Sequence, residues 1–330
     1  MIRGIRSNNF LFTPKLIEQA YDLIRDEIHE TPILTSKSLN EIYGAELFFK
    51  CENFQKTGSF KIRGATYSVK SLRSSEKTKG VVTHSSGNHA QALAYAASQS
   101  GVTANIVMPE NAPAVKSNAV QKYGGLITFC PPTLEDRENY TEKIVALKGS
   151  KLIHPYNQPN TIIGQATVAF ESFKQLEQLP DILITPVGGG GLLSGSILSV
   201  QFFSPRTTIF AAEPAGANDA FRSLQSNELV PSTNPSTICD GLLTSLGEYT
   251  WPLIRDYTQE IVQVTDNEVI RSLKEVFQYL KIIIEPSCAT VLAAIKKIEN
   301  QTAGKRVLLI LSGGNIEVEK VFNLKPKDHS

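Results

Sequence analysis

Few features of this chain point to a specialised environment. Its 330 residues hold only four cysteines, Cys51, Cys130, Cys239 and Cys288. They lie far apart, with no Cys-x-x-Cys pair and no histidine at zinc-ligand spacing, so neither a disulfide framework nor a thiolate zinc site is expected. They read as reduced, packed thiols. No apolar run reaches the ~20 residues of a membrane span, and the opening MIRGIRSNNF lacks a signal-peptide core, so the expected location is cytoplasmic, away from membranes. Charge of one sign is also missing. The 33 basic and 32 acidic residues leave a formal net charge of +1 with no dense basic block, so no global field draws the chain to nucleic acid or an anionic surface. There is no fixed-period repeat, low-complexity tract or obvious linker. A small, weakly charged partner fits this composition.

The length is what about two domains require. A first helix is expected from Thr13, which can cap it, through Pro14 and the helically spaced Ile17, Ala20, Tyr21, Ile24 and Ile28, with Pro32 ending it. Beyond it, β-branched runs alternate with helical segments: VVTHS then HAQALAYAASQ, ANIVMP then a helix closed near Gly124, LITFC then a helix opened by Thr133. KLIHP, DILITPV, TTIFAAE, IVQVT and RVLLILS continue the series. Strands separated by helices of this length call for right-handed crossovers and parallel, doubly covered sheets, so the fold class is α/β. Ligands of such folds sit at the carboxyl ends of the strands, here in the crevice between domains.

Four turns carry the chemistry. In PVGGGGLLSG an apolar strand runs into Gly188, Gly189, Gly190 and Gly191, and a helix follows. Glycines there permit left-handed dihedrals and expose backbone N–H groups beside a helix N-terminus, which makes a cradle for an anion such as phosphate. No Lys-Ser/Thr follows, so it is not a nucleotide P-loop. A dinucleotide site is the rival, since Gly189, Gly191 and Ser194 approach G-x-G-x-x-[G/A] and Glu213 closes the next strand 22 residues past Gly191. LSGGN places Ser312 at the end of RVLLIL, and THSSGNHAQA crowds Ser85, Ser86, Gly87 and Asn88 at a helix start. Each of these two is also what an ordinary cap or turn looks like. The fourth is KTGSFKIRGA, where Ser59 can cap a helix with the buried stripe Ile62, Ala65, Val69 and Leu72, and Lys61 falls in its first turn. The positive end of the helix dipole disfavours an ammonium there. For a solvated lysine this is a nuisance, but for a nucleophilic one it favours the free amine that attacks carbonyls.

With KTGSFKIRGA, THSSGNHAQA, VGGGGLLSG and LSGGN in this order, nearly the whole chain resembles the serine racemase and serine/threonine dehydratase family of pyridoxal 5'-phosphate (PLP) enzymes. The resemblance implies a two-domain PLP fold type II, tryptophan synthase β-like, with parallel-rich twisted sheets. The large domain would comprise residues 1–77 and 158–330, and a small mobile domain residues 78–157. It implies that Lys61 carries PLP as a Schiff base, that Gly188 to Gly191 hold its phosphate, that Asn88 bonds its phenolic oxygen and that Ser312 faces its pyridine nitrogen. A neutral hydroxyl does not enforce a protonated ring, so the cofactor would be a weaker electron sink than one facing an aspartate. Ser86 would be the second catalytic group, at a position where typical threonine dehydratases carry alanine, and this ranks racemase above dehydratase. Ser85, Ser86, Asn88, His89 and Arg137 would meet the amino-acid substrate. Glu213, Ala217 and Asp219 would hold a divalent cation, Mg²⁺ or Ca²⁺ from its all-oxygen ligands. ATP as an effector would involve Ser36, Lys56, Thr57 and Asn315, and a homodimer is implied.

Some positions depart from the family. Lys37 stands where serine racemases tend to carry serine, and Asn157 where many threonine dehydratases carry aspartate. Only 15 residues follow Asn315, leaving no room for an amino-acid-sensing domain, so a feedback-inhibited threonine deaminase is not expected. The expected activity is interconversion of L- and D-serine with dehydration of serine to pyruvate and ammonia. A dedicated threonine, serine or 3-hydroxyaspartate dehydratase is the near alternative, and a nicotinamide oxidoreductase the distant one.

Overall fold

The structure is a computed structural model that describes residues 4–112, 114–317 and 319. The ends of the expected large domain, residues 1–3, 318 and 320–330, lie outside them. Twelve strands are present among the described residues: β1 (Ile5–Ser7), β2 (Phe10–Phe12), β3 (Ile33–Leu34), β4 (Glu46–Cys51), β5 (Val81–His84), β6 (Ala104–Pro109), β7 (Leu126–Cys130), β8 (Lys151–Leu152), β9 (Ile182–Pro186), β10 (Thr208–Pro214), β11 (Glu260–Val264) and β12 (Arg306–Leu311). One sheet has the order β11-β10-β9-β12-β4-β3, parallel except for the β3–β4 pair. The other, β7-β6-β5-β8, is wholly parallel. β1 and β2 form a separate antiparallel hairpin. Every residue of β6 and β9 is buried, as strands covered on both faces require.

The first helix, Pro14–Ile24, is shorter than the sequence implies. Thr13 occupies its cap position without a side-chain cap bond, and Glu27 N donates to Ile24 O, a tight turn that ends the helix before Ile28. Ile28 is still buried. The KTGSFK helix, Lys61–Lys70, has Phe60 rather than Ser59 at its cap. Ser59 is extended and bridges to Gly313, and its hydroxyl has no hydrogen-bond partner. Helix Lys61–Lys70 crosses helix Pro159–Gln175 at Gly64 and Gly164, where a Cβ on Gly164 would lie 2.6 Å from the Gly64 Cα. Only glycine allows that approach.

Both helices close over a buried charged group. The Arg63 guanidinium makes paired bonds to both oxygens of Glu52, each 2.7 Å, and to Glu171 at 2.7 and 3.0 Å, and Lys50 bonds Glu171 as well. All four side chains are at most 2% exposed. Two cations and two carboxylates balance, and Thr31 and Gln175 bond the remaining polar atoms. No helix among the described residues is long and apolar enough to cross a membrane.

Candidate active site

Lys61 is the first residue of its helix, and its Nζ donates to the Pro155 carbonyl at 3.0 Å, with the Phe60 ring centroid 5.1 Å away. Burial lowers its pKa to about 8, against an opposing contribution from the Glu285 charge. A substantial share of Lys61 is therefore free amine just above neutral pH.

The serine turn lies at the carboxyl end of β5. Ser85 Oγ accepts from Gly87 N at 3.3 Å, Gly87 caps helix Asn88–Gln99, and Ser86 is half-buried in the same turn. The Asn88 amide donates to both oxygens of Glu285, at 3.0 and 3.1 Å, and its oxygen accepts from Asn315 Nδ2 at 2.8 Å. Asn315 also donates from Nδ2 to Thr57 O and from its backbone N to Glu285. The KTGSFK, SSGN and LSGGN turns thus converge on Glu285, which the sequence reading missed. Burial pushes its pKa up to about 7, while the Asn88 amide works in the other direction.

Two histidines, His89 and His154, feel the Lys61 charge, and a third, His84, stands against His154. His89 Nε2 lies 3.1 Å from the Ile153 carbonyl and so carries the proton, which leaves Nδ1 a buried acceptor without a partner. His154 Nδ1 accepts from the backbone N of Tyr156 and of Asn157, and its ring stands edge-on to His84. Burial first, then neighbouring positive charge, lowers both His89 and His154 to about 3. They are neutral at any working pH. His84 is lowered by burial and then by Arg137, so the Arg137 charge is felt at the end of β5 although its Nε donates to Thr133 O of its own helix.

The tetraglycine loop is buried between β9 and helix Gly191–Phe203, with Gly190 at φ +84°. A Cβ on Gly189 or Gly191 would run into Tyr156. Pro155, which accepts from Lys61, and Tyr156, which covers the loop, are consecutive, so one turn joins the amine to the cradle. Ser312 follows β12 and is 3% exposed, and its carbonyl accepts at 3.0 Å from the backbone N of Phe60, the residue before Lys61.

Glu213 and Asp219 are each 1% exposed. Glu213 accepts from the N–H groups of Ala220 and Phe221 at 2.9 and 2.8 Å, while Asp219 Oδ2 has no hydrogen-bond partner. Burial raises Glu213 to about 8 and Asp219 to about 6. Two buried carboxylates, one with an orphaned oxygen, beside the buried Ala217 suit a hard cation. This arrangement also removes the dinucleotide reading, because the Glu213 carboxylate is turned onto its own loop rather than toward a ribose. Of the residues expected to take a nucleotide, Thr57 and Asn315 are hydrogen-bonded and Lys56 precedes Thr57. No hydrogen bond or ion pair joins Ser36 to them, and its hydroxyl caps helix Lys37–Tyr43.

A buried amine with a lowered pKa, joined by one turn to a glycine loop at a helix N-terminus, has the chemistry to hold a phosphorylated aldehyde. The class is that of cofactor-dependent enzymes of α/β fold. Residues 24–313 match the family described as pyridoxal-phosphate dependent enzyme, and the chain belongs to that family. It is 48% identical over 316 residues to a serine racemase of Dictyostelium discoideum, covering 94% of this chain and 97% of that protein. It is 44% identical over 302 residues to a β-hydroxyaspartate dehydratase of Paracoccus denitrificans, covering 92% and 96%. The crystal structure of serine racemase from Dictyostelium discoideum superposes with a TM-score of 0.88 at 47% identity, covering 92% of this chain and 98% of that one. The fold is thus the type II PLP fold. None of these relatives is an oxidoreductase.

Proposed function

We propose that this protein interconverts L- and D-serine and dehydrates serine, with Lys61 and Ser86 as its catalytic pair. The observation that carries the reading is the buried Lys61 amine, its pKa lowered by burial, held at the Pro155 carbonyl, and the racemase relatives support it. PLP, when bound, supplies the electron sink that makes the substrate Cα–H acidic. Lys61 moves the proton on its own side. Racemisation needs a second group on the other, and Ser86 at the head of helix Asn88–Gln99 is that group. The neutral His84, His89 and His154 keep further positive charge away from a substrate ammonium. Gly188 to Gly191 take the phosphate, Asn88 and Ser312 orient the ring, and Ser85, Asn88, His89 and Arg137 receive the amino acid. Asn88, already shared between Glu285 and Asn315, is positioned before any ligand arrives.

Glu213, Ala217 and Asp219 hold Mg²⁺ or Ca²⁺ in this reading, for which the orphaned Asp219 oxygen is the support. Residues 78–157, which carry the four-stranded sheet, form the small mobile domain against 1–77 and 158–330. The assembly is a homodimer, and the buried, unpaired thiols suit a reducing cytoplasm. ATP binds near Lys56, Thr57 and Asn315, with Ser36 contributing only if it leaves its capping role. Dehydration of 3-hydroxyaspartate is the second reading, favoured by the Paracoccus relative.

Borohydride reduction and peptide mapping should place the pyridoxyl group on Lys61; a label on Lys56 or another lysine overturns the site. Ser86→Ala should abolish interconversion of L- and D-serine while keeping PLP and substantial L-serine dehydration. If that variant racemises at close to the wild-type rate, the protein is a dehydratase or uses another group.

A further inference from the structure

Residues 227–249 connect helix Asp219–Ser226 to helix Thr250–Tyr257 with a single short 3-10 turn, Asp240–Leu242. Between its ends this segment is held to Asp266, which accepts from Thr237 Oγ1 and Ile238 N, and to Ser287, whose hydroxyl accepts from Gly241 N at 3.0 Å, and two further contacts tie it to the site. At the first, Ser236 N donates to Gly216 O at 2.8 Å, and a Cβ on Gly216 would overlap the Ser236 carbonyl. It therefore lies against the turn that carries Ala217 between Glu213 and Asp219. At the second it closes over the tetraglycine loop. A Cβ on Gly188 would lie 2.9 Å from Leu242 Cα, and one on Gly190 would lie 2.9 Å from a Leu246 methyl and 3.0 Å from Thr250 Cβ. The Thr250 hydroxyl, fully buried, donates to Gly189 O at 3.0 Å and accepts from Gly247 N at 2.9 Å. Asn157 Oδ1 accepts from Tyr249 N at 2.8 Å, tying the same stretch to the turn that follows Pro155.

We infer that residues 232–250 are a strap that couples the Glu213–Asp219 site to the tetraglycine loop, with Thr250 as the positioning residue where the strap grips it. The inference rests on the phosphate and cation roles proposed above. Glu213, Asp219 and Ala217 would hold the cation, and a filled site would fix the Gly216 turn and so the strap lying on it. Close packing leaves the far end little freedom to stay behind. The Gly189 carbonyl, engaged by Thr250, is held away from a phosphate it would repel. A cation at the Glu213–Asp219 site would then slow the loss of the cofactor.

The test is the rate at which holoenzyme loses PLP on dilution, followed by visible absorbance, in Mg²⁺ and in chelator. Wild-type protein should lose PLP about tenfold faster in chelator. Thr250→Val, which keeps the shape and deletes the hydroxyl bond, should compress that ratio below about twofold, and Thr250→Ser should restore most of it. A Thr250→Val ratio equal to wild type overturns the strap. So does a wild-type ratio near one, and thermal melting then separates the causes: melting that responds to Mg²⁺ leaves the cation site standing, while melting that does not removes both. If Thr250→Val does not fold with PLP, Leu246→Ala, which withdraws the side chain over Gly190, is measured in the same way with the same outcomes.

Discussion

Lys61 and Arg63 stand two positions apart and are treated in opposite ways. The first is desolvated with no carboxylate bonded to it, so its proton is loosened; the second is clamped between Glu52 and Glu171, which outweigh its burial and hold its proton firmly. Cutting one member from a buried, balanced cluster leaves an uncompensated charge. Arg63→Met should therefore cost about 3–5 kcal/mol in denaturant unfolding, and a loss below about 1 kcal/mol would show that the cluster relaxes or takes up water. The burial that loosens the Lys61 proton was not legible in the sequence, whereas its place in the first turn of a helix was, because that is a local property. Arg63 was not, since its partners Glu52 and Glu171 lie 11 and 108 residues away and nothing nearby marks an arginine as buried. Glu285 escaped for a related reason: before Pro286 it reads as a solvated helix start, and only the fold brings Asn88 and Asn315 to it.

At the level of elements, the strand-to-turn-to-helix units were readable from apolar runs ending in glycine or serine, whereas their ends depended on contacts made elsewhere. Ser59 has the chemistry of a cap, yet its backbone is drawn into the bridge with Gly313, and the cap falls to Phe60. The close crossing at Gly64 and Gly164 was equally hidden, because a glycine inside a helix signals weakness until its neighbour is known. Gly164→Ala would press a methyl to 2.8 Å from Arg63 O as well as onto Gly64. Helix Lys61–Lys70 would have to move. The expected cost is about 1–3 kcal/mol, measurable by chemical denaturation together with weaker retention of PLP. Stability and retention both at wild-type level would mean the crossing has slack.

For the molecule as a whole, the proposed cation site sets a pH dependence. Without a cation, Glu213 and Asp219 bind protons more tightly folded than unfolded, at about 8 and about 6 against 4.5 and 3.8. Their contribution to stability is complete below the unfolded values and is lost as pH rises through about 6 and then about 8. A bound cation replaces those protons, so the rise in melting temperature caused by Mg²⁺ should be larger at about pH 8 than at about pH 5.5. An equal rise at both would place the ion elsewhere. Comparing with and without Mg²⁺ at each pH cancels Lys61, whose depressed value acts with the opposite sign.

The strand order has a further consequence, for the chain as it leaves the ribosome. β5 to β8 form a self-contained sheet from one continuous stretch, free to assemble once residue 152 has emerged. β4 is made earlier but is flanked by β3 and β12, and β12 begins at Arg306. Until then β4 presents an unpaired hydrogen-bonding edge, and the six-stranded sheet cannot close. The half of the protein that carries the tetraglycine loop is thus the last to be completed. A nascent chain halted before Arg306 should expose that edge and call on chaperones, whereas one halted after β8 already has a finished sheet.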